Sequence, residues 1–387
     1  MIFQEPALQE IDRHVLGLIQ AQREKLRAYT QHNPRRWIGS LRRSTFARAI
    51  QGSNSIEGYH ASMDEAIAAV EEEPPLDERT ETWLAINGYR ATLTYIMQAA
   101  ADQYFEFSKQ FLKSLHFMMT GFDLDAYPGQ WRPGRVYVVN QKSGDTVYTG
   151  PDADLVDPLI QDLVAYLVQP PHDSSTVTAA MAHLNLTMIH PFKDGNGRMA
   201  RALQTLILAR EGIVHPLFSS IEEWLGRNTE DYYAVLSDVG QGGWNPRNDA
   251  LPWVRFCLKA HHQQAATLIR RNEEYGDLFE IVDEIIDASG VNTRVAIPLF
   301  ELSLGHRMTN SRYQNVAEVT QHVAARDLRQ LSDLGLIEPR GEKRGRFYLA
   351  GTALKEARTR VRRQKALVNP YDLPLEGRAP APRLPGV

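Results

Sequence analysis

Residues 190–201 read HPFKDGNGRMAR, and this segment combines a histidine, a carboxylate, two glycines and two arginines. Glycine has no side chain, so the backbone N–H groups near Gly195 and Gly197 can approach an anion closely. The residues from Met199 to Arg210 are good helix formers and are followed by Gly212, which is typical of a helix end. The segment therefore predicts an anion-binding loop at the start of a helix, where the helix dipole also favours phosphate.

The charged side chains of this segment fit phosphate chemistry. Asp194 offers a hard oxygen ligand of the kind that Mg²⁺ takes when it bridges phosphate oxygens. Arg198 and Arg201 are three residues apart, so they share a helical face and can bind phosphate oxygens in a bidentate manner. His190 can titrate near neutral pH and is the natural general base for a hydroxyl that attacks the phosphate. Together these residues predict nucleotidyl or phosphoryl transfer.

At all nine specified positions the segment resembles the HPFxDGNGRxxR signature of the Fic (filamentation induced by cAMP) domain family. The resemblance implies a mainly α-helical protein, with a Fic-type helical core and a β-hairpin flap. It also implies the transfer of AMP from ATP to a Tyr, Thr or Ser hydroxyl of a target protein, with release of pyrophosphate. ATP as substrate and Mg²⁺ as metal ion are therefore expected.

The resemblance assigns the chemical step to two residues of the motif. His190 would be the base that deprotonates the target hydroxyl, and Asp194 would hold Mg²⁺ between the α- and β-phosphates. The transition state of such a transfer requires mainly positioning and charge neutralisation, so the motif is sufficient without a covalent intermediate.

Five further residues would bind the phosphates. The resemblance implies that the anion hole consists of Gly195, Asn196 and Gly197. It implies that Arg198 binds the region of the β-phosphate and that Arg201 reaches the γ-phosphate.

Residues 53–58 read SNSIEG and resemble the inhibitory motif of the family, [S/T]-x-x-x-E-[G/N], through Ser53, Glu57 and Gly58. Taken alone, such a string is typical of a helix end with Gly58 as a left-handed cap. The resemblance implies that Glu57 forms a salt bridge with Arg201, takes the place of the γ-phosphate and inhibits the enzyme. In some family members this glutamate instead positions a water that removes AMP from a modified target, and the sequence leaves both roles open.

The nucleobase site is expected downstream, where residues 227–236 read RNTEDYYAVL and look like the helix that flanks the base in the family. Tyr233 is the predicted adenine contact, although aromatic pairs on helices are usually core residues. Some relatives carry an asparagine seven residues after this tyrosine, where this chain has Gly240. ATP is therefore the default nucleotide, with transfer of UMP or GMP as alternatives.

Residues 134–148 contain two β-rich runs about a Ser-Gly turn and predict a hairpin. Its edge could pair with an extended target segment, and in the resembled family a flap at this place holds the target hydroxyl in register with the histidine. Tyr137 and Tyr148 are candidate automodification sites. His183 is interpreted as a packed histidine, and His116 receives no role.

The C-terminal region resembles a winged helix-turn-helix module. Residues 316–331 predict helix, turn and helix, with Thr320 as the N-cap of the second helix, and residues 335–349 predict a two-stranded wing. Lysine and arginine are frequent between residues 340 and 365, which suits a phosphate backbone but is also typical of a solvated helix face. DNA binding, protein docking and a homodimer all remain open.

The whole chain has 387 residues with 43% hydrophobic residues, enough for two or three packed domains. The predicted division is 1–79 for an N-terminal helical region with the inhibitory motif, 80–271 for the Fic core, 272–352 for the winged helix and 353–387 for a basic, proline-rich tail. A net charge of −4 argues against a generally nucleic-acid-coating protein. The chain has a single cysteine, Cys257, and the sequence shows neither a signal segment nor an apolar run long enough to span a membrane. These features predict a cytoplasmic protein without membrane partners.

Two functional hypotheses follow. The first is an autoinhibited protein adenylyltransferase, and the second is a DNA-binding regulator whose Fic-like core senses nucleotide. A sensor needs phosphate ligands but no base, so the presence of His190 favours the enzyme. Removal of AMP is a further enzymatic alternative.

Overall fold

The computed structural model describes residues 1–29, 36–74, 80–139, 146–171, 174–212, 215–342, 345–364 and 367–375. Within these ranges the protein is mainly helical, with fifteen α-helices and five short strands, as predicted. None of the helices in these ranges is both long enough and apolar enough to cross a membrane.

The chain forms two compact units. The first contains Met1–Arg27, Phe46–Ala266 and the described residues from Leu367 onward, and the second contains Ala28–Thr45 and Thr267–Ala366. The four-part division into residues 1–79, 80–271, 272–352 and 353–387 stays a prediction.

Eleven helices account for most of the first unit, and two of them, α2 and α11, also extend into the second. They are α1 (Glu10–Arg27), α2 (Ile38–Ile56), α3 (Met63–Val70), α4 (Glu81–Ala101), α5 (Lys109–Thr120), α6 (Val156–Val168), α7 (Ser175–Ile189), α8 (Asn196–Ala209), α9 (Glu222–Arg227), α10 (Thr229–Gly240) and α11 (Leu251–Ser289). Nearly all side chains of α7 and α8 are buried, so these two helices form the centre of the unit. Because α8 packs against α7 and α4, the residues 190–195 that join α7 to α8 start and end in the core.

Local sequence signals set several helix ends. Ser62 and Glu65 form a capping box at the start of α3, because the Ser62 side chain accepts the N–H of Glu65 and the Glu65 side chain accepts the N–H of Ser62. Gly58, which follows α2, has a φ of +87°. This left-handed conformation is the one that the glycine cap of the sequence predicts.

The predicted hairpin is formed by two antiparallel strands, β1 (Tyr137–Val139) and β2 (Thr146–Thr149), and its turn lies outside the described residues. Tyr137 is 51% exposed, whereas Tyr148 is buried and its hydroxyl donates a 2.7 Å hydrogen bond to the carbonyl of Met188. The idea that Tyr148 is automodified is therefore wrong for this arrangement, because its oxygen is not accessible to a nucleotide.

The second unit contains the remaining elements: α12 (Ala296–Ser303), β3 (Met308–Thr309), α13 (Asn310–Ala317), α14 (Gln321–Asp333), β4 (Ile337–Arg340), β5 (Phe347–Ala350) and α15 (Thr352–Val361). The strands form an antiparallel sheet in the order β3-β5-β4. Thr320 precedes α14 in an extended conformation, although its side chain accepts no hydrogen bond from the helix. A helix, a turn, a helix and two strands thus follow one another, and the assignment to the winged-helix family stays a prediction.

Two glycines in helices of the first unit provide a test of packing. A Cβ atom at Gly88 of α4 would lie 2.4 Å from the carbonyl oxygen of Met119, whereas a Cβ atom at Gly17 of α1 would meet nothing within 4 Å. We expect Gly88→Ala to lower the free energy of unfolding by about 1–3 kcal/mol through overpacking. Gly17→Ala should raise it by up to about 1 kcal/mol through helix propensity.

Thermal and urea unfolding of the two variants measure these changes. Equal stability of the Gly88→Ala variant and the wild type would show that α4 and α5 pack less closely than described.

Candidate functional site

His190 follows the last residue of α7 and has φ of +52° and ψ of +58°, a conformation that is uncommon outside glycine. Its Nδ1 lies 3.2 Å from the carbonyl oxygen of Thr187. Because a carbonyl only accepts hydrogen bonds, Nδ1 carries the ring proton in this arrangement and Nε2 carries the lone pair. His190 therefore presents an atom that can take a proton from a hydroxyl.

The electrostatic environment keeps His190 neutral. Burial lowers its pKa to about 4, and the positive charge of Arg132 acts in the same direction. The carbonyl of Thr187 and the carboxylates of Glu57 and Asp194 oppose this shift but do not overcome it. At neutral pH the imidazole is therefore in the unprotonated form that a general base requires.

His116 of α5 supports the loop that follows His190, and the sequence had suggested no role for it. Its Nδ1 accepts the N–H of Gly129 at 2.9 Å, so its Nε2 carries the proton and donates to the carbonyl of Asp194 at 3.0 Å. The ring also stacks on Phe192, with centroids 3.8 Å apart and an angle of 6° between the planes. Both side chains are fully buried, which fixes the loop from its inner side.

The start of α8 offers backbone donors. The side chain of Asn196 accepts the N–H of Phe192 and donates to the carbonyl of Phe192, both at 2.9 Å, and so closes the loop. Gly195 has a φ of +76° and no side chain to cap the helix. The first N–H groups of a helix have no acceptor within it, so Gly195, Asn196 and Gly197 lie where an anion can bind.

Arg198 is fully buried and only partly satisfied. Its Nη2 donates to the carboxylate of Asp194 at 3.0 Å, and the Tyr59 ring lies 5.1 Å from its Cζ. Its Nε and Nη1 have no hydrogen-bond partner among the described residues. Buried donors are rarely left unpaired, so these two nitrogens fit an oxygen-rich anion as their ligand.

Arg201 is also buried but is paired with the end of α2. Its Nη2 donates to Glu57 at 2.6 Å and to the carbonyl of Ser53 at 3.0 Å, and its Nε donates to the Ser53 hydroxyl at 2.8 Å. Burial by itself would lower the pKa of Arg201, but the negative charge of Glu57 raises it above the ordinary value. The structure thus brings together the three residues that the sequence had linked through the inhibitory motif.

The Glu57 carboxylate lies against the first turn of α8. A Cβ atom at Gly197 would be 2.3 Å from Oε1 of Glu57, so only glycine leaves room for the carboxylate at this position. A helix N-terminus and a neighbouring arginine both attract negative charge, and the Glu57 carboxylate lies at such a position.

Tyr233 of α10 lies beside the C-terminal end of α2. Its hydroxyl donates a 3.2 Å hydrogen bond to the carbonyl of Ile56, and the residue is 47% exposed. Gly240 packs against the hairpin, since a Cβ atom there would lie 3.2 Å from the ring of Tyr148. An adenine-reading asparagine at this position would therefore need a shift of its neighbours, and the adenine contact of Tyr233 stays a prediction.

A buried polar network lies next to Arg201 and was also missed by the sequence analysis, apart from the prediction that His183 is packed. The His183 ring contacts Gln204 at 2.5 Å and the hydroxyl of Tyr232 at 3.0 Å, and all three side chains are buried. Glu222 is buried as well, accepts the hydroxyl of Tyr89 at 2.9 Å, and has its pKa raised to about 7 by burial. No local pattern in the sequence marks these contacts, because they join distant helices.

The metal expected from the sequence can be tested against the side chains present. Within the described ranges, no group of three or more His, Cys, Asp or Glu residues is placed to hold a metal ion. The Asp194 side chain is 53% exposed and adjoins the candidate phosphate-binding loop. This fits Mg²⁺, which needs only one or two protein carboxylates when substrate phosphates supply the other ligands.

Comparison with known proteins relates this geometry to a family. The Fic/DOC family profile matches residues 106–208. The chain is 26% identical over 269 residues to the protein adenylyltransferase fic-1 of Caenorhabditis elegans, a match that covers 67% of this chain and 47% of that protein. It is 27% identical over 256 residues to the protein adenylyltransferase Fic of Drosophila melanogaster, covering 64% of this chain and 47% of that protein. The chain spans about half the length of these curated relatives.

Solved structures share the fold. A Fic family protein from Desulfovibrio desulfuricans G20 superimposes with a TM-score of 0.59 at 19% identity, over 90% of this chain and 98% of that one. Fic-1 from C. elegans gives a TM-score of 0.54 at 23% identity, over 67% of this chain and 72% of that one. The prediction of a Fic-type helical core is thereby confirmed.

The buried His183 predicts a pH dependence of stability. Burial lowers its pKa to about 3, while the unfolded chain has a value near 6.5. Below pH 6.5 the unfolded state therefore binds a proton that the native state does not, so stability falls as the pH falls. Between pH 7 and pH 5 we expect this residue to remove about 2 kcal/mol from the free energy of unfolding, because one pKa unit equals about 1.4 kcal/mol.

Urea unfolding at the two pH values tests this dependence. The loss should be smaller by about 2 kcal/mol in His183→Gln than in the exposed control His60→Gln. An unchanged loss in His183→Gln would mean that another group causes the pH dependence.

Proposed function

We propose that this chain, whose residues 106–208 form a Fic domain, transfers AMP from ATP to a hydroxyl side chain of a target protein. The observation that carries the proposal is the neutral base His190 beside a helix N-terminus and the buried Arg198 with two unpaired donors. The names of the two curated relatives, both protein adenylyltransferases, support the same reaction.

The reaction follows from the position of the base. Nε2 of His190 takes the proton of the target hydroxyl while the hydroxyl oxygen attacks the α-phosphorus of ATP. A new bond forms between this oxygen and the α-phosphorus, the bond from the α-phosphorus to the bridging oxygen of the β-phosphate breaks, and pyrophosphate leaves. His190 then releases the proton to solvent.

The phosphates of ATP would be held by the start of α8 and by Arg198. The N–H groups of Gly195, Asn196 and Gly197 and the free donors of Arg198 would bind the α- and β-phosphates. Asp194 would hold Mg²⁺, which neutralises phosphate charge when bound.

Autoinhibition is the state that the pairing of Glu57 supports. Arg201 gives two of its nitrogens to Ser53 and Glu57, and the carboxylate lies where the γ-phosphate would meet the arginine. A γ-phosphate would have to displace this carboxylate, because two negative groups at one arginine repel each other. ATP therefore binds productively only when the end of α2 moves away.

Alternative chemistry at the same site is distinguished by its products. Removal of AMP would use Glu57 to position a water molecule, and transfer of UMP or GMP would use the same phosphate contacts with another base. Varying the nucleotide separates transfer of AMP from transfer of UMP or GMP, and a falling mass of an AMP-modified protein over time would show removal. The cytoplasmic location stays a prediction.

Replacement of Glu57 tests transfer and inhibition together. We expect Glu57→Gly to add AMP to its own chain at least about tenfold faster than wild type, which corresponds to about 1.4 kcal/mol at the transition state. Intact mass spectrometry after incubation with Mg²⁺ and ATP, UTP or GTP measures the addition.

The control is Glu57→Gly/His190→Ala, which should add no AMP because the base is missing. Addition by this double variant would remove His190 from the mechanism, and equal rates for wild type and Glu57→Gly would exclude the inhibitory role of Glu57.

DNA binding by the second unit is a second candidate function, favoured by charge. Between residues 290 and 366 the sequence has fifteen Lys and Arg against seven Asp and Glu, although the whole chain carries a net charge of −4. The exposed face of α14 includes Gln321, His322, Arg326, Arg329 and Gln330. Side chains of these types bind base edges and phosphates when a helix enters the major groove. A homodimer, the other partner predicted from the sequence, stays a prediction.

Two arginines of α14 test this candidate. Arg326→Ala/Arg329→Ala should weaken binding of a labelled DNA duplex at least tenfold. It should also reduce the slope of log K against log salt concentration by the amount expected for the loss of about two phosphate contacts. Arg13→Ala/Arg247→Ala, which removes two exposed arginines of the first unit, is the control and should bind like wild type. Fluorescence anisotropy at several salt concentrations measures both, and equal affinity of the two double variants would exclude α14 as the DNA-binding helix.

A further inference from the structure

We infer that Arg132 positions the hairpin relative to His190, so that a hydroxyl held by the hairpin meets the base. Arg132 lies between α5 and β1, outside residues 190–201. The inference rests on the proposed transfer reaction, because it concerns the placement of the target at the same site.

The guanidinium of Arg132 binds three backbone carbonyls. Its Nε donates to His190 at 2.8 Å, its Nη2 donates to Pro151 at 2.5 Å, and its Nη1 donates to Gly134. The backbone N–H of Arg132 also donates to the carbonyl of Pro191 at 2.8 Å. Arg132 is only 4% exposed, so these bonds form in the interior.

The three carbonyls belong to the hairpin and to His190, the two parts of the site that must be aligned. Gly134 precedes β1 and Pro151 follows β2, so both open ends of the hairpin are tied to one side chain. The same side chain holds the carbonyl of His190. A single planar group thereby sets the distance from the base of the hairpin to the catalytic histidine.

Neighbouring contacts fix the hairpin at the same place. The Tyr148 hydroxyl donates to the carbonyl of Met188, two residues before His190, at 2.7 Å. The N–H of Thr149 donates to the carbonyl of Gly242 at 3.1 Å. These bonds hold β2, but neither reaches His190, so the direct connection is made by Arg132.

The chemistry of the side chain explains why an arginine is needed. Its planar guanidinium presents five N–H donors in fixed directions, whereas a lysine has all its donors on one nitrogen and cannot reach three separate carbonyls in this way. Within the described residues the Arg132 guanidinium has no hydrogen bond to a carboxylate, so its donors are used on the backbone. Burying a charge in this way is unfavourable unless its hydrogen bonds are satisfied.

The left-handed backbone of His190 makes the position sensitive. A non-glycine residue in this region is strained and keeps its conformation only because its surroundings hold it. Without Arg132 the carbonyl of His190 would lose its side-chain donor. A displacement of the base by about 1 Å is enough to lower the rate of a positioned reaction about a hundredfold.

The test uses the full chain with Glu57→Gly as background and compares Arg132→Met, Arg132→Lys and Arg210→Met. Arg210 is the matched control, because its Nη1 binds the carbonyls of Ala99 and Asp102 at 3.1 and 3.2 Å, away from His190. The rate of AMP addition to the chain is measured over a range of ATP concentrations, together with the melting temperature.

Arg132→Met should lower kcat about a hundredfold and leave the KM for ATP within about threefold, because Arg132 contacts no phosphate-binding group. Arg132→Lys should recover part of kcat. Arg210→Met should change kcat less than about threefold at a similar loss of melting temperature. Equal kcat for Arg132→Met and Arg210→Met, or a rise in KM as large as the fall in kcat, would overturn the inference.

Hydrogen exchange supplies a readout that does not depend on transfer. Arg132→Met should speed up amide exchange both in the hairpin residues 134–139 and 146–151 and in residues 186–196, while Arg210→Met should do so in neither. Faster exchange in one segment alone would mean that Arg132 does not couple them. Absence of AMP addition in the Glu57→Gly background would instead reject the proposed function, and the exchange result would still decide the role of Arg132.

Discussion

The burial of the Arg201 guanidinium is the constraint on which the arrangement of the site depends. A charge in the interior requires hydrogen-bonded partners, and Arg201 finds them in Ser53 and Glu57 at the end of α2. This pairing brings α2 against the start of α8, where Gly197 leaves space for the carboxylate. It also brings Gly52 against α9, where a Cβ atom would lie 2.4 Å from the carbonyl oxygen of Glu222.

The three buried arginines of the site differ in what satisfies them. Arg201 is paired with Ser53 and Glu57, and Arg132 donates to backbone carbonyls. Arg198 keeps two nitrogens, Nε and Nη1, without a partner among the described residues, whereas Arg201 keeps only Nη1. An arginine whose nitrogens mostly have hydrogen-bond partners in the protein holds the framework in place, whereas one with fewer partners is suited to a ligand. The same helix, α8, therefore contributes to the core and carries the candidate phosphate ligands.

Much of the fold and of the candidate site could be predicted because the signals are local. The glycine cap at Gly58, the capping box at Ser62 and the hairpin all follow from a few neighbouring residues. His116 and Arg132 could not be found in this way. His116 is 78 residues from its partner Asp194, and Arg132 is 58 residues from its partner His190. Both side chains bind backbone carbonyls, and because every residue has a carbonyl, no sequence pattern indicates these partners.

The sequence by itself determined the helical fold, the candidate phosphate-binding loop and the identity of the candidate base, because glycine conformation, helix propensity and charge act over a few residues. Only the tertiary structure decided which groups are buried and what they contact. It turned Tyr148 inward, lowered the pKa of His190 and brought Glu57 to within 2.6 Å of Arg201. Burial and hydrogen bonding depend on segments far apart in the chain, and these segments meet only when the protein folds.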